Sequence, residues 1–377
     1  MKNNLFELIH QAKVAFGYAS HVSRIALSRN FRAKALTGVM PGSETRIKIL
    51  FLGHVDNLNP MREFFFDGIA QEEDLGSFYS FFQRRARARR CSPDTDAVVS
   101  LQIPASGRPD PGSYVTTSLH AKVALPATMD QFVATLPETE RRKLRQMLKA
   151  GFEVEIGNTE SDYREFHERM FGPLMRDRHG QKAYVPPVEQ ILDQILRSSL
   201  IFIKADGKRL GGILIRWPRI NGSHALPHFD KIGIINDVSR DASQLNRVNI
   251  ALYYQMFNAT IQRHYPILSL GVVPPLLNSG LFWFKARWGS DYSMGNHEFD
   301  YYRHIITYCS QKQHEIQCHR HLIHMENGSL AATIGAQEHE AGTEAFEAML
   351  NSRRFPSLSR YHMRFQDGRV ETRVLNA

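Results

Sequence analysis

Hydrophobic and polar positions alternate from Arg46 to Gly53 and then become apolar, which predicts a strand. Ahead of it, residues 1–45 read as a helix followed by a loop through Gly38, Pro41 and Gly42. In the first part Leu5, Leu8, Ile9, Ala12 and Phe16 fall near one helical face. Asn59-Pro60 opens a second helix with Met61, Phe64, Phe65 and Ile69 on its apolar side. Another helix is expected over Phe78–Arg90, then strands over Ala97–Ile103 and His120–Leu125, separated by the turn-rich stretch Ser106–Gly112. Thr128 starts a helix holding Phe132 and Leu136, and Thr139–Ala150 is the next, stopped by Gly151. Phe152–Ile156 alternates as a strand. Asp162–Arg178 reads as a helix with Tyr163, Phe166, Met170 and Phe171 inward, and Val188–Ser198 as another.

The most regular stretch lies beyond. Leu200–Ala205, the turn Asp206-Gly207 and Arg209–Trp217 form a hairpin. Ser223–Asn236 contains one long irregular strand or a strand pair. A long helix, Asp241–His264, a short buried strand, Ile267–Val273, and a second helix around Leu281–Gly289 complete the unit. Strands are expected over 298–310 and 314–325, a short helix over Glu344–Leu350, and a closing hairpin over Tyr361–Leu375. These elements group into an N-terminal α/β domain over 1–127, a second α/β domain over 128–325, and a C-terminal extension over 326–377. No repeat of short fixed period is present.

Composition narrows the class. The 377 residues suffice for two or three domains, and 42% hydrophobic with 23% charged is ordinary for a globular protein. No apolar run reaches the roughly 18 residues that a membrane-spanning helix needs. The first helix lacks the continuous apolar core and cleavage site of a secretory signal; it reads as a packed helix, with an interfacial helix on an anionic membrane as the alternative. Three cysteines, Cys91, Cys309 and Cys318, make no disulfide framework, which fits a reducing cytoplasm. The net charge of +9 favours polyanions such as nucleic acid or phosphate-bearing cofactors. Basic clusters lie over Arg84–Arg90 and Arg141–Arg145, each either a phosphate contact or a solvated face.

Four sequence features, taken in order and spacing, resemble the GNAT acyltransferase superfamily in its Fem-like branch. They are Leu136-Pro137 with Arg141–Arg145 and Gly151–Val154; Phe166–Met175 ahead of Arg178-His179-Gly180; the hairpin Ile201–Ile215 around Asp206-Gly207-Lys208 and Gly211-Gly212; and Phe284-Lys285-Ala286-Arg287-Trp288-Gly289. They span roughly 160 residues, less than half the chain. The resemblance implies a mixed sheet flanked by helices, with a degraded N-terminal companion of the same type as an open alternative. It implies acyl transfer to an amine, with acyl-coenzyme A as co-substrate and a small-molecule acceptor such as an amino sugar. Aminoacyl transfer from a charged tRNA is the second reading, and an inactive scaffold the third. In one place the chain departs from the superfamily: a glycine-rich pyrophosphate turn is expected before the long helix, yet Val238–Asn246 holds no glycine.

Attack in a ternary complex needs a deprotonated amine, a donor for the tetrahedral oxyanion and a proton or positive charge for the leaving group. Lys285, a cation in an aromatic helix, matches the lysine of the Fem-like corner and is assigned the electrostatic role; the alternative is a stem packed on Trp288 with its head in water. Tyr292 can protonate the leaving group or sit in the core. His228 and Asp230, two apart on one strand, share a face and can serve as general base or hold the acceptor, or form a structural pair. Arg240, Gln244, Asn246 and Arg247, at the start of the long helix, are candidates for the cofactor phosphates. Arg176 and Arg178 can bind an anionic acceptor. Asn278 and Ser279 can rim the site or cap the next helix. Cys318, His319, His321 and His324 do not match a zinc knuckle; on a strand, Cys318 and His324 would face opposite His319 and His321, so no metal is expected.

Overall fold

A computed structural model describes residues 31–68, 70–77, 94–102, 115, 118–180, 183–218, 226–293, 303–308, 310, 312–326, 329–335 and 357–374. The chain is mixed α/β, with three sheets and flanking helices. It divides into two compact units. One takes Met1–Leu119, Val273–Trp283 and Ser293–Ala377; the other takes His120–Val272 and Phe284–Tyr292.

In the first unit, strands β1 (Phe31–Val39), β2 (Arg46–His54), β3 (Gln71–Ser77), β4 (Ala97–Gln102) and β12 (Arg303–Tyr308) form a five-stranded sheet in the order β12-β4-β2-β1-β3. The helix Leu58–Phe65 covers it with Met61, Phe64 and Phe65, all buried with Ile47, Ile49 and Phe51. A helix through residue 45 is therefore not what forms over 31–39. Phe31, Ala33, Ala35 and Leu36 are buried, and β1 pairs antiparallel with β2 along its full length. The glycine at 38 and the turn at 41–43 close a hairpin rather than end a helix. The helical positions from Leu5 to Phe16, the basic run 84–90 and the expected helix 344–350 lie outside the described residues.

A four-stranded sheet, β13 (Leu322–Glu326), β14 (Ser329–Gly335), β15 (Leu358–Arg364) and β16 (Val370–Val374), completes this unit. The closing hairpin forms, turning at Gly368 with φ +88°. The expected strand over 314–325 is a correction. Gln313–His319 is a helix burying Ile316 and Gln317, and only Leu322–Glu326 is a strand. The face arithmetic applied to Cys318 and the histidines fails with it. Cys318 Sγ lies 3.4 Å from His314 Nε2, one helical turn back.

The second unit is built on a seven-stranded sheet. Its strands are β5 (Leu119–Ala124), β6 (Glu153–Gly157), β7 (Ser198–Ala205), β8 (Lys208–Arg216), β9 (His228–Ile234), β10 (Ile267–Val273) and β11 (Asp291–Ser293). They run β11-β5-β10-β9-β8-β7-β6. Antiparallel pairing holds from β6 through β9. The β7–β8 turn is the expected Asp206-Gly207, both with positive φ (50° and 72°), as a two-residue hairpin demands. The β9–β10 pair is parallel and, among the described residues, is bridged only at Ser269 and His228.

Helices cover both faces. On one lies the helical run 160–179, started by the capping box of Thr159 and Asp162. It buries Tyr163, Phe166, Met170 and Phe171 against Leu200, Phe202 and Leu214, as the apolar spacing predicts. The run widens to a π-helical segment over Phe166–Phe171, where the Gly172 N–H reaches back to the His167 carbonyl. Pro173 supplies the cause: it has no N–H to give and its ring crowds the carbonyl four residues earlier. On the other face is the long helix Ala242–Gln262, where Phe257 packs on Phe132 at 4.5 Å and on Trp288 at 5.3 Å. Each fully buried Leu or Phe stabilises the fold by roughly 1.5–3 kcal/mol. The helix expected through Ser198 ends at Leu192; a tight turn follows at Ile195–Arg197 and leaves Leu196 96% exposed, because Ser198 already pairs with Arg216 in the sheet.

Candidate functional site

Of the sequence-marked residues, His228 and Lys285 come together where β9 meets β10. Among the described residues a single parallel bridge, Ser269 to His228, joins the strands. Beside it Gly271 has φ +76°, a conformation that an L side chain adopts only under strain. The Gly271 N–H turns to the Ser269 hydroxyl at 3.2 Å.

Lys285 comes to this corner from the helix Gly280–Ala286. It is 4% exposed, and its Nζ donates to the Leu270 carbonyl at 2.6 Å and the Val272 carbonyl at 2.9 Å, the two that flank Gly271. Among the described residues no carboxylate lies within ion-pair distance of it. A lysine whose head reaches water is therefore not what forms. Burial pushes its pKa down to about 8. An ammonium has three donors, and two are spent on carbonyl oxygens.

His228, at the start of β9, lies on the same corner. Its Nδ1 is 3.0 Å from Ser269 Oγ. A Cβ built on Gly271 would lie 3.5 Å from His228 Cε1, 3.8 Å from His228 Nε2 and 3.8 Å from Lys285 Nζ. Imidazole and ammonium thus lie on either side of the Gly271 backbone.

Asp230 does not join them as a His–Asp pair. A register shift opposite Leu214 and Ile215 leaves Asp230 as the extra residue of a bulge, which breaks the strict alternation that would place it beside His228. Its carboxylate pairs with Arg216 at 3.0 Å and Lys231 at 2.8 Å. Tyr292 is buried on β11, and β5 lies between that strand and β10. Burial pushes its phenol pKa up, with Asp291 adding to the shift, so it stays protonated.

At the start of the long helix, Arg240, Gln244, Asn246 and Arg247 are all exposed. The helix is capped by Asp241, whose carboxylate accepts from the Ser243 and Gln244 N–H groups at 2.9 and 3.1 Å. These amides are the ones a phosphate would use, and an anion already holds them. Arg176 and Arg178 are exposed on the helix Gly172–His179.

Asn278 and Ser279 belong to the other compact unit. The Asn278 side chain donates to the His319 carbonyl at 2.8 Å, and Ser279 receives the Phe282 N–H on its hydroxyl and the Trp283 N–H on its carbonyl. Ser279 thus does the capping work. Among the described residues no group of three or more His, Cys, Asp or Glu side chains is placed to hold a metal.

Three residues that sequence reasoning missed stand at the site. Ser269 and Gly271 were hidden inside an apolar run, where their neighbours define a strand. Tyr253 lies on the long helix, stacked on Trp288 at 5.5 Å and edge-on to Phe284 at 5.0 Å. Burial pushes its pKa up while the charge of Arg178 acts against the shift, which places Arg178 in its electrostatic reach. A serine and a glycine two apart, three residues ahead of Pro274, was the available signal.

No protein-family model matches the chain, and no curated protein matches it. Among solved structures it is similar to FemX at 14% identity and TM-score 0.40, over 72% of this chain and 83% of that one. It is similar to a GCN5-related N-acetyltransferase-like protein from Streptococcus suis at 12% identity and TM-score 0.29, over 78% and 98%. A tandem GNAT protein from the clavulanic acid biosynthesis pathway gives 9% identity and TM-score 0.30, over 70% and 78%.

Proposed function

We propose that the second unit is an N-acyltransferase in which Lys285 stabilises the tetrahedral oxyanion beside Gly271. The observation that carries this reading is the buried ammonium itself, fixed by two backbone carbonyls of β10 beside its single bridge to β9. A lysine held inside the fold without a carboxylate partner costs stability, and groups so perturbed cluster at functional sites.

In the step proposed, the acceptor amine forms a bond to the donor's carbonyl carbon, and the carbonyl oxygen takes the negative charge next to Lys285 Nζ. The carbonyl re-forms as the bond to the carrier breaks. The proton lost by the amine ends on the departing thiolate or ribose oxygen, so no covalent enzyme intermediate is needed.

Acyl-coenzyme A is the first donor to test, with an amine such as an amino sugar as acceptor. Transfer from an aminoacyl-tRNA is the second, and the Asp241 cap favours it: with a carboxylate on the Ser243 and Gln244 amides, the pyrophosphate of coenzyme A has no amide cradle there. The full chain is incubated with acetyl-coenzyme A and a panel of amines, reading released thiol, and separately with charged tRNA, reading loss of the aminoacyl ester. Transfer from one donor that Lys285→Met abolishes supports the reading. Absence of transfer from both donors, or a Lys285→Met variant as active as the parent, overturns it.

A further inference from the structure

The four-stranded sheet carries a polar chain across one face that the proposed acyl transfer does not use. Thr333, His362 and Thr372 lie opposite one another on β14, β15 and β16, so they share that face. Glu326 reaches it from β13. Its Oε2 is 2.8 Å from His362 Nε2, and Arg360 Nη1 lies 3.5 Å from the same oxygen. On the other side of the ring, His362 Nδ1 is 2.9 Å from Thr372 Oγ1. His324 stacks on the imidazole at 5.7 Å, with its own Nε2 3.0 Å from Thr333 Oγ1. All these residues belong to one compact unit. Burial would raise the Glu326 pKa, but the His362 hydrogen bond and the charges of His362 and Arg360 hold it below the ordinary value, so it is ionised at neutral pH. A carboxylate can only accept. In the neutral imidazole the proton therefore sits on Nε2, and the Nδ1 lone pair points at the Thr372 hydroxyl. His324 adds no positive charge here: burial above all, then His362, pushes its pKa down to about 4.

We infer that Glu326, His362 and Thr372 form a second reactive site, in which Thr372 is the nucleophile toward an activated ester, His362 its general base and Glu326 the positioning residue. Exposure is graded to suit these roles. The His362 and Glu326 side chains are 16% and 22% exposed, while Thr372 is exposed on the strand edge. The hydroxyl stands between Val370 and Val374, which share its face and are 44% and 67% exposed, so an apolar acyl chain has a surface to lie on. A hydroxyl at the surface, a bare ring nitrogen behind it and a carboxylate behind the ring are the parts that activate a weak nucleophile. In the step inferred, Thr372 Oγ1 bonds to the ester's carbonyl carbon as its proton passes to His362 Nδ1. The bond to the alkoxy oxygen then breaks, and His362 returns the proton to that oxygen. Water repeats the sequence on the acylated threonine, releasing the acid and restoring the hydroxyl.

The test uses an alkyl fluorophosphonate, which traps such a hydroxyl as a stable phosphonyl ester as fluoride leaves. The full chain is labelled at neutral pH, and the modified residue is located by peptide mass spectrometry, with circular dichroism confirming the fold of each variant. The expected result is a label on Thr372 that Thr372→Val abolishes and Thr372→Ser keeps. His362→Gln is expected to slow labelling about 10²-fold or more, the usual share of a general base. Glu326→Gln is expected to lower the limiting rate about 10-fold or more at an unchanged half-saturating probe concentration, which a merely structural role would not do. Lys285→Met is expected to label as the parent does. Thr372→Val and Thr372→Ser, at an exposed position, keep the test open if His362→Gln fails to fold. No label on Thr372 in the folded parent, labelling undiminished in a folded His362→Gln, or an equal rate in urea-unfolded chain overturns the inference.

Discussion

At the scale of single residues, Lys285 carries the sharpest expectations. Lys285→Met keeps the packing of the stem and removes the charge, so kcat is expected to fall about 10²- to 10³-fold, the usual loss for one oxyanion donor. Circular dichroism checks that the fold persists. Its pKa near 8 sets a direction for pH as well. The folded value lies below that of an unfolded lysine, about 10.4, so between the two the unfolded chain binds the proton and the folded chain does not. The stability cost of the buried charge is therefore fully present below pH 8 and is relieved as pH rises toward 10. Catalysis runs the other way: if the ammonium is the working form, kcat falls as pH rises through about 8. A pH–rate profile that still climbs beyond pH 9 would exclude it. Gly233 gives a second residue-scale test. A Cβ there would lie 2.5 Å from the Phe171 backbone nitrogen and 2.8 Å from Met170 atoms, in a place where backbone meets backbone. Gly233→Ala is expected to destabilise by about 1–3 kcal/mol or more, seen as a lowered midpoint in urea unfolding.

At the scale of elements, Arg209 ties the strand edge to a helix. It pairs with Glu155 on β6, with Asp162 at 2.8 Å and with Glu165 at 2.7 Å, and its guanidinium lies 4.1 Å over the Phe202 ring. Asp162 also caps its helix. Burial alone would raise its pKa, but the Thr159 hydroxyl and N–H, the Arg209 guanidinium and the Asn158 N–H hold it down at about 2. The folded value is below the unfolded one, so this contribution is present above about pH 4 and is lost as pH falls toward 2. Acid unfolding of the parent is expected to steepen in that window, and Asp162→Asn to flatten the pH dependence of stability there. Arg209→Ala removes the guanidinium that these three partly exposed carboxylates share while Glu155 keeps Lys204 and Asp162 keeps Thr159, and is expected to cost about 1–2 kcal/mol, measured by thermal or urea unfolding. The helices and strands of this unit were readable because each follows one rule along its length: period 3.6 over 160–179, a left-handed pair at 206–207, a capping threonine at 128. The elements misread were those where the rule is local but the decision is not. Phe31–Val39 shows no helix breaker before Gly38, and becomes a strand because β2 and β3 flank it on both sides. Gln313–His319 is too short for its period to be told apart from alternation.

At the scale of the whole molecule, charge and division matter most. The +9 net charge is real, but part of the basic texture is already neutralised. Arg141 and Arg145 both pair with Glu138, at 2.7 and 2.6 Å, and Lys143 pairs with Glu140. If tRNA binds, Glu138→Gln is expected to free both arginines and steepen the fall of affinity with salt, read from binding curves at several salt concentrations. An unchanged slope would place the tRNA elsewhere. Among the described residues no helix is long and apolar enough to cross a membrane. The sequence by itself determined the α/β class, the hairpin at Asp206-Gly207, the long helix, the short buried strand after it, and the lysine at 285 as an oddity in an aromatic helix. Each depends on neighbours within about one turn or one strand length, and such neighbours are in the sequence. The tertiary structure alone decided that Lys285 lies buried on two β10 carbonyls, that Asp230 is taken by Arg216 and Lys231, that Asp241 occupies the helix amides, and that Ser269 faces His228. These outcomes depend on the bulge in β9, the left-handed turn at Gly271 and the single bridge between β9 and β10. A one-residue shift in register redirects every side chain beyond it, and no local pattern records where that shift falls.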